Sequence, residues 1–236
     1  MPRKSLTIVL PCFNPETNWH KNLLQQYEAV SDQLVEFEID LILVNDGSKN
    51  QIAEEVKMLK ELIPNLSYIH NNVNQGKGAA IRSGIIDAKG EYIVYTDIDF
   101  PYTSNSFKNI VQALESFEIS IGIRDNSYFH AIPKHRAFIS KFLKFMIKTS
   151  LRLPTSDTQG GLKGMRASIK PLFLRTEINR YLFDLEFLFL ATKEKKTIGI
   201  QPIELRNETD VKKMNFRVVS KEISNFIKLF LKAKFT

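Results

Sequence analysis

Short apolar runs and amphipathic stretches take turns along the first half of the chain. The apolar runs are about four to eight residues long and end in proline or polar turns, as buried strands do. The stretches between them repeat apolar residues every three or four positions, which is the spacing of an amphipathic helix. The predicted strands are 6–10, 37–44, 66–69, 91–96 and 119–123, and the predicted helices are 18–33, 52–63, 79–88 and 106–117. This alternation predicts an α/β fold with a mostly parallel central sheet and helices on both faces.

The second half of the chain is less regular. Its predicted helices are 136–153, 181–192 and 218–235, and its predicted strands are 162–165 and 198–205. The chain has 236 residues, 43% of them hydrophobic, which is enough to bury one large core. We therefore expect a single domain over residues 1–236, built from one half at 1–119 and another at 120–236 that ends in an amphipathic helix.

The two halves carry opposite net charge. Residues 1–119 contain 10 Lys or Arg and 16 Asp or Glu, a net charge of −6, whereas residues 120–236 contain 23 and 10, a net charge of +13. This asymmetry favours an acidic partner such as anionic lipid or a phosphorylated substrate, although a solvated basic surface has the same composition. Nucleic acid is not expected, because the Phe residues recur at helical core spacing and not between exposed basic side chains.

Cysteine content and the apolar runs indicate a compartment. The chain has one cysteine, Cys12, so it forms no internal disulfide, which is typical of a reducing compartment. The first residues lack the apolar core of a signal peptide, and no apolar run reaches the length of a membrane span. We expect a cytoplasmic protein that is not integral to a membrane.

Polar, glycine-bearing turns follow the first four predicted strands, at 11–16, 45–48, 71–78 and 97–102. Ligands of parallel α/β sheets bind beyond the carboxyl ends of the strands, so all four turns are expected at the binding edge. Asp97 and Asp99 end the fourth strand, and positions i and i+2 of a strand share a face. Two carboxylates on one face suit a hard divalent cation that carries a diphosphate, although a solvated turn also fits.

Gly76, Lys77 and Gly78 lie just before a predicted helix. Flanking glycines allow backbone N–H groups to approach an anion, and the helix N-terminus favours negative charge. Lys77 adds a positive charge at the same place. The segment therefore predicts a phosphate site, although Gly-Lys-Gly is also an ordinary turn.

Together the four turns resemble the family 2 glycosyltransferases, which have the GT-A fold. Pro-Cys-Phe-Asn at 11–14 is similar to the family's Pro-x-Tyr-Asn, and Val-Asn-Asp-Gly-Ser at 44–48 is similar to its Val-Asp-Asp-Gly-Ser. The segment 74–84 resembles Asn-x-Gly-Lys-Gly-x-Ala-x-Arg-x-Gly, and 96–99 resembles the Asp-x-Asp strand end. The resemblance implies a GT-A domain with a Rossmann-like nucleotide-binding half at 1–119 and an acceptor-binding half at 120–236.

Within that family, the polyprenyl-phosphate sugar transferases are the most similar group. Asp-Thr-Gln-Gly-Gly-Leu-Lys at 157–163 resembles the Asp-Thr-Gln-x-Gly-Phe-Lys of dolichyl-phosphate glucosyltransferases, and Phe-Asp-Leu-Glu at 183–186 resembles their Phe-Asp-x-Glu. Dolichyl-phosphate mannosyltransferases carry a Gln two residues after the second Asp, where this chain has Pro101. One metal ligand of those enzymes is then missing here or replaced by water.

The resemblance implies an inverting transfer from a UDP-glucose-like or GDP-mannose-like donor. Asp99 is expected to hold Mg²⁺ or Mn²⁺ and to be essential for catalysis. Asp97 is expected to bind the same ion or the ribose side of the nucleotide, and Lys77 to contact the diphosphate. The other residues expected to contact substrates are Pro11, Phe13, Asn14, Glu16, Asp46, Arg82, Arg124, Asp184 and Glu186. Asp184 and Glu186 lie in an apolar stretch, so a structural ion pair with Arg124, Arg136 or Lys163 is equally open.

Asp157 is the candidate catalytic base, with a helix or turn cap as the alternative. A sugar hydroxyl needs a base to remove its proton, whereas a phosphate acceptor is already ionised and leaves Asp157 only an orienting role. The leading expectation is a polyprenyl-phosphate acceptor, with peripheral contact at the inner face of an anionic membrane. A saccharide hydroxyl acceptor in cell-surface polysaccharide assembly and a non-catalytic nucleotide-sugar-binding module are the alternatives.

Overall fold

The computed structural model describes residues 3–49, 52–124, 153, 155 and 160–206. Within them the chain builds a seven-stranded sheet in the order β3-β2-β1-β4-β6-β5-β7. The strands are β1 (Lys4–Cys12), β2 (Phe37–Asp46), β3 (Leu66–Asn71), β4 (Tyr92–Tyr95), β5 (Ile119–Arg124), β6 (Lys163–Arg166) and β7 (Ile198–Ile203). Strands of both halves of the sequence therefore belong to one sheet.

The first four strands are parallel, as the alternating pattern predicted. β1 lies between β2 and β4, with Cys12 opposite Asn45 on one side and Val9 opposite Tyr95 on the other. β3 extends the sheet from β2, with Asn71 opposite Asp46. Parallel strands end at the same edge, so the turns after β1, β2, β3 and β4 all reach one side of the molecule.

Helices cover both faces of the sheet. They are α1 (Trp19–Gln33), α2 (Ala53–Leu62), α3 (Lys77–Asp87), α4 (Ser104–Ala113), α5 (Lys170–Phe173) and α6 (Phe183–Lys193), and a 3₁₀ turn (Ala167–Ile169) precedes α5. β1 shows the division of the core, because Leu6 and Ile8 pack with Leu23 of α1, whereas Val9 packs with Ile81 of α3. Alternate residues of the strand therefore face opposite helical layers.

One strand of the second half interrupts the parallel order. β6 is inserted between β4 and β5 and is antiparallel to both, with Lys163 opposite Tyr95 and Ile121. β7 then pairs with β5 in parallel. The amino end of β6 consequently lies at the same edge as the carboxyl ends of β4, β5 and β7, and it brings the chain before Lys163 to that edge.

Two sequence predictions fall on parts of the chain that the structure does not describe. The basic helix at 136–153 lies almost wholly outside the described residues, and the terminal helix at 218–235 lies entirely outside them. Within the described part of the chain, no helix combines the length and the apolar character that a membrane crossing requires.

Candidate active site

The strand ends bring most of the predicted site residues to one edge. Pro11 is half-buried one residue before the end of β1, and Asp46 is the last residue of β2. Arg124 ends β5 and is half-buried opposite Ile203 of β7. The prediction that these turns share an edge is confirmed, because the strands that carry them run in the same direction.

The turns after β1 and β2 are hydrogen-bonded to each other. The backbone N–H of Asn14 donates to Ser48 Oγ at 2.9 Å, and the backbone N–H of Lys49 donates to Asn14 Oδ1 at 2.8 Å. Asn14 has a φ of +45°, a left-handed conformation that Asn tolerates better than most residues. Phe13 is 48% exposed in the turn after β1, and Glu16 is exposed in the same turn. The exposed ring of Phe13 thus lies next to the hydrogen-bonded turns after β1 and β2.

Asp46 organises the loop that leads into α3. The buried carboxylate accepts four hydrogen bonds, from Asn71 Nδ2 (3.2 Å), Asn74 Nδ2 (2.9 Å) and the backbone N–H groups of Gln75 (3.0 Å) and Gly76 (2.8 Å). These donors satisfy both carboxylate oxygens and fix the loop after β3. A contact between Asp46 and a substrate stays a prediction.

The start of α3 differs from the sequence prediction. The backbone N–H groups that were expected to face an anion are paired inside the protein: those of Gln75 and Gly76 with Asp46, and those of Gly78 and Ala79 with the carbonyl of Asn179 (2.8 and 3.3 Å). These four N–H groups are not available to an anion, whereas a phosphate contact by Lys77 stays a prediction. Glycine is still required at 78, because a Cβ would lie 2.7 Å from Phe183 Cβ.

Lys77 is the first residue of α3 and faces the end of β4. Its Nζ lies 2.6 Å from Asp97 Oδ1, with the Lys77 side chain 19% exposed and the Asp97 side chain 42% exposed. Burial alone would lower the pKa of Lys77, but the negative charges of Asp97 and Asp184 raise it above its ordinary value. Lys77 is therefore a permanent positive charge at this edge.

Asp97 and Asp99 lie in a turn beyond β4, which ends at Tyr95. The prediction that they share a strand face is wrong, because the ladder has ended before either residue. The turn closes through the backbone N–H of Phe100, which donates to the Asp97 carbonyl at 3.0 Å. Phe100 has a φ of +44°, and for a non-glycine residue this left-handed conformation costs about 1–2 kcal/mol. Burial of the Phe100 ring, which is 2% exposed, holds the turn closed.

The chain before β6 packs against this turn. The backbone N–H of Gly161 donates to the Tyr102 hydroxyl at 2.9 Å, and a Cβ at Gly161 would lie 3.0 Å from Asp97 Oδ2. Burial raises the pKa of Tyr102 to about 12, an effect that the Gly161 hydrogen bond partly offsets and the charge of Asp97 reinforces. Tyr102 thus stays a neutral phenol beside Asp97. The charge of Arg124 acts on the same phenol, which places Arg124 near this group.

Asp184 belongs to a buried charge network under the same edge. Its Oδ1 accepts from the Tyr95 hydroxyl at 2.7 Å, and its Oδ2 lies 3.1 Å from Lys163 Nζ. Lys163 is fully buried and also donates to the Gly160 carbonyl at 2.5 Å. Of the three basic partners that the sequence left open for Asp184, the structure supplies Lys163. This network anchors Gly160, where the described chain resumes before β6.

Arg82 and Glu186 hold the segment before α6. Arg82 donates to the Thr176 hydroxyl at 3.3 Å, to the Ile178 carbonyl at 2.9 Å and to Asn179 Oδ1. The buried carboxylate of Glu186 accepts from the backbone N–H groups of Glu177 and Ile178, each at 2.8 Å. These contacts support a structural role, since they fix the segment whose Asn179 carbonyl binds the start of α3. Substrate contact by either residue stays a prediction.

One predicted site residue lies outside the described part of the chain, and two residues of the site were not predicted from sequence. Asp157 lies outside the described residues, so its role as a base stays a prediction. Tyr95 and Tyr102 were not predicted as site residues, although each hydroxyl pairs at this edge. Their signal in the sequence is weak, because an aromatic residue beside a strand end is usually only part of the core.

The fold and this arrangement define a GT-A glycosyltransferase. The model of the family described as Glycosyl transferase family 2 matches residues 7–172, and the chain belongs to that family. The match covers the hydrogen-bonded turns after β1 and β2, the Lys77–Asp97 pair and β6. The family resemblance that the four turns indicated is therefore confirmed.

Two individual proteins are similar to this chain over most of its length. A dolichyl-phosphate beta-glucosyltransferase of Trichomonas vaginalis is 29% identical over 234 residues, which cover 95% of this chain and 72% of that protein. An undecaprenyl-phosphate 4-deoxy-4-formamido-L-arabinose transferase of Pseudomonas fluorescens is 27% identical over 171 residues, 71% of this chain and 48% of that protein. Both are named for transfer to a polyprenyl phosphate.

A solved structure agrees in fold. Glucosyl-3-phosphoglycerate synthase of Mycobacterium tuberculosis, in complex with Mn²⁺, uridine diphosphate and glucosyl-3-phosphoglycerate, superposes with a TM-score of 0.68 at 13% identity. The likeness covers 98% of this chain and 80% of that one. At this identity it supports the GT-A fold alone.

Proposed function

We propose that the protein transfers a sugar from a nucleotide diphosphate sugar to a polyprenyl phosphate, with inversion at the anomeric carbon. The Lys77–Asp97 pair carries the donor half of this proposal. A cation and a carboxylate side by side at the carboxyl edge of a parallel sheet supply what a metal-bound diphosphate needs, a positive contact and a metal ligand. The names of the relatives support the acceptor half.

The side chains at this edge suit a hard divalent cation such as Mg²⁺ or Mn²⁺. Asp97 is substantially exposed, and Asp99 lies two residues further along the same turn. Within the described ranges, no group of three or more His, Cys, Asp or Glu side chains could enclose an ion by itself. A site of one or two carboxylates completed by substrate phosphates and water is the usual arrangement for Mg²⁺. Asp97 and Asp99 would hold the ion, which would neutralise charge on the leaving diphosphate.

Other residues at this edge of the sheet bind different parts of the donor. Lys77 binds the diphosphate through a charge-assisted contact that supplements the ion. Phe13 offers an exposed ring for the base, next to the corner that Asn14 and Ser48 build. Asp46 holds the loop before Lys77 in place. The acceptor phosphate is already ionised, so it attacks the anomeric carbon without a base, and Asp157 then has only an orienting role.

A lipid acceptor requires the protein to work at a membrane surface. The net charge of +13 over residues 120–236 suits an anionic cytoplasmic leaflet, where each Lys or Arg contributes about 1 kcal/mol. We propose peripheral binding at that face by the acceptor half. Sedimentation with phosphatidylserine vesicles at low salt checks this, and binding should fall as salt screens the charges. A folded protein that ignores these vesicles at low salt contradicts peripheral binding.

A donor panel followed by a transfer assay tests the function. The protein is mixed with Mn²⁺ and each of UDP-glucose, UDP-galactose and GDP-mannose, and thermal shift identifies the donor. That donor, labelled in the sugar, is then incubated with a short polyprenyl phosphate. Label should enter the butanol phase only with enzyme, metal and lipid phosphate together. Donor binding without transfer to any polyprenyl phosphate, combined with transfer to a saccharide hydroxyl, would contradict the proposal.

A further inference from the structure

One residue holds the backbone of the turn that contains Asp97 and Asp99. Arg206 Nε donates to the Phe100 carbonyl at 2.8 Å, and a terminal nitrogen of the same guanidinium donates to the Asp99 carbonyl at 2.9 Å. The backbone N–H of Arg206 donates to the Pro101 carbonyl at 2.9 Å. Three consecutive carbonyls of the turn are therefore fixed from outside by a residue more than a hundred positions away in sequence.

The neighbours of Arg206 strengthen this contact. Asn22 of α1 donates to the Asp99 carbonyl at 3.1 Å and accepts from Arg206 at 3.2 Å, so the guanidinium is held on two sides. Leu205 forms an antiparallel bridge with Tyr102. The segment after β7 thus pairs with the residues that follow the turn of Asp97 and Asp99. This pairing fixes the backbone of Arg206 and so positions its guanidinium.

The conformation of this turn needs such support. Phe100 is left-handed at a φ of +44°, and a non-glycine residue keeps that conformation only when its surroundings impose it. If the Asp99–Phe100 peptide rotated toward a relaxed conformation, the direction of the Asp99 side chain would change with it. A planar guanidinium can satisfy two carbonyls at once in a fixed geometry, which a Lys ammonium cannot do.

We infer that Arg206 is the positioning residue of the donor metal site, because its guanidinium fixes the turn from which Asp97 and Asp99 bind the ion. This inference rests on the proposed function. Arg206 donates to main-chain carbonyls, and its role is to keep the two carboxylates at the separation that one ion requires. Partners that orient metal ligands typically contribute 10- to 100-fold to metal affinity.

The chain supplies a matched control for this role. Arg166 also donates to two consecutive carbonyls, those of Leu114 and Glu115, each at 2.7 Å. Arg166 lies opposite Tyr92 at the start of β4, which is the other edge of the sheet. Its removal deletes the same kind of double contact without touching the turn of Asp97 and Asp99.

The experiment compares Arg206→Met, Arg206→Lys, Arg166→Met and Arg166→Lys with the unmodified chain. Free Mn²⁺ is titrated by electron paramagnetic resonance with UDP present and, in a parallel series, with GDP, and thermal unfolding is recorded for each protein. Arg206→Met should weaken Mn²⁺ binding about 10- to 100-fold, with a smaller loss for Arg206→Lys. The Arg166 variants should lower the unfolding temperature and leave Mn²⁺ affinity within about twofold of the unmodified chain.

Each outcome decides between the inference and the proposed function. If the unmodified chain binds Mn²⁺ and Arg206→Met binds it equally well, the inference is wrong and the metal site stands. If the unmodified chain binds no Mn²⁺ with either nucleotide, the metal part of the proposed function fails and the inference fails with it. Should Arg206→Met not fold, Arg206→Lys decides, and an affinity equal to that of Arg166→Lys overturns the inference.

Discussion

Lys77 Nζ lies 2.6 Å from Asp97 Oδ1, so the side chains assigned to the diphosphate and to the metal contact each other across the edge of the sheet. The proposed function gives each of them a new partner, an anion for Lys77 and a cation for Asp97. Breaking the pair for one ligand alone would leave a partly buried charge without its partner, which is unfavourable. Metal and donor should therefore bind cooperatively.

The first prediction concerns the contact between Lys77 and the diphosphate. Lys77→Ala should weaken binding of the nucleotide sugar by about ten- to a hundredfold, since a hydrogen bond to a charged group contributes roughly 1.5–3 kcal/mol. Binding of the free nucleoside should change little, because it lacks the diphosphate. Isothermal titration calorimetry with both ligands measures the difference.

The control for Lys77 is Lys170→Ala. Lys170 donates to the carbonyls of Ile86 and Ala88, at the other end of α3 from Lys77. It should lower stability without a change in donor affinity. Equal losses for nucleoside and nucleotide sugar in Lys77→Ala would place Lys77 away from the diphosphate.

The second prediction concerns the carboxylate of Asp99. Asp99→Asn removes a charged ligand and should lower transfer at least about a hundredfold, with the unfolding temperature almost unchanged. Raising the Mn²⁺ concentration should restore part of the activity. Asp32→Asn, at an exposed position of α1, is the control. Retention of most activity by Asp99→Asn would remove Asp99 from the metal site.

The third prediction separates the two kinds of acceptor. With a phosphate acceptor, Asp157→Asn should lower turnover less than about tenfold and leave donor affinity unchanged. A general base contributes typically 10²- to 10⁴-fold, so a loss of that size at constant donor affinity would indicate a hydroxyl acceptor. Single-turnover kinetics with saturating donor measures the change.

The fourth prediction concerns stability at high pH. Burial and the charge of Asp184 raise the pKa of Tyr95 well above its ordinary value, and burial raises the pKa of Tyr102 to about 12. Above about pH 10 the unfolded chain releases phenol protons that the folded chain retains, so the free energy of unfolding falls as pH rises. Below that pH this contribution is fully present.

Tyr95→Phe tests the alkaline effect. It should reduce the loss of stability between pH 10 and 12, measured by thermal unfolding. At neutral pH it should destabilise the fold by about 1–3 kcal/mol, because Asp184 loses a buried donor. Tyr181→Phe, which alters an exposed ring, should change neither quantity. An unchanged pH profile in Tyr95→Phe would contradict the assignment.

The strands and helices of the first half could be predicted from sequence because their patterns are local. β1 and β2 each contain a run of buried apolar residues, at 8–10 and 41–44, and α2 ends before Pro64, so each element has a local cause. The shared edge of the turns followed from the parallel order alone. For this reason the sequence alone predicted that Lys77 and Asp97 belong to one site.

The features that sequence reasoning missed are contacts between distant segments. The place of β6 between β4 and β5 depends on pairing across about seventy residues, and no local pattern specifies it. Four amides at the start of α3 looked available to an anion, but Asp46 and the carbonyl of Asn179 accept their hydrogen bonds. The alternation rule failed at Asp97 because β4 is only four residues long and ends at Tyr95.

The most direct test of the central claim is transfer to paired acceptors that differ only in the phosphate. The protein, Mn²⁺ and the donor chosen by the panel are incubated with a polyprenyl phosphate or with the matching polyprenol, and the anomeric configuration of the product is determined by NMR. We predict a glycosyl phosphate of inverted configuration from the polyprenyl phosphate, and no product from the polyprenol or in the presence of EDTA. Transfer to the polyprenol, retention of configuration, or full activity after chelation would contradict the account.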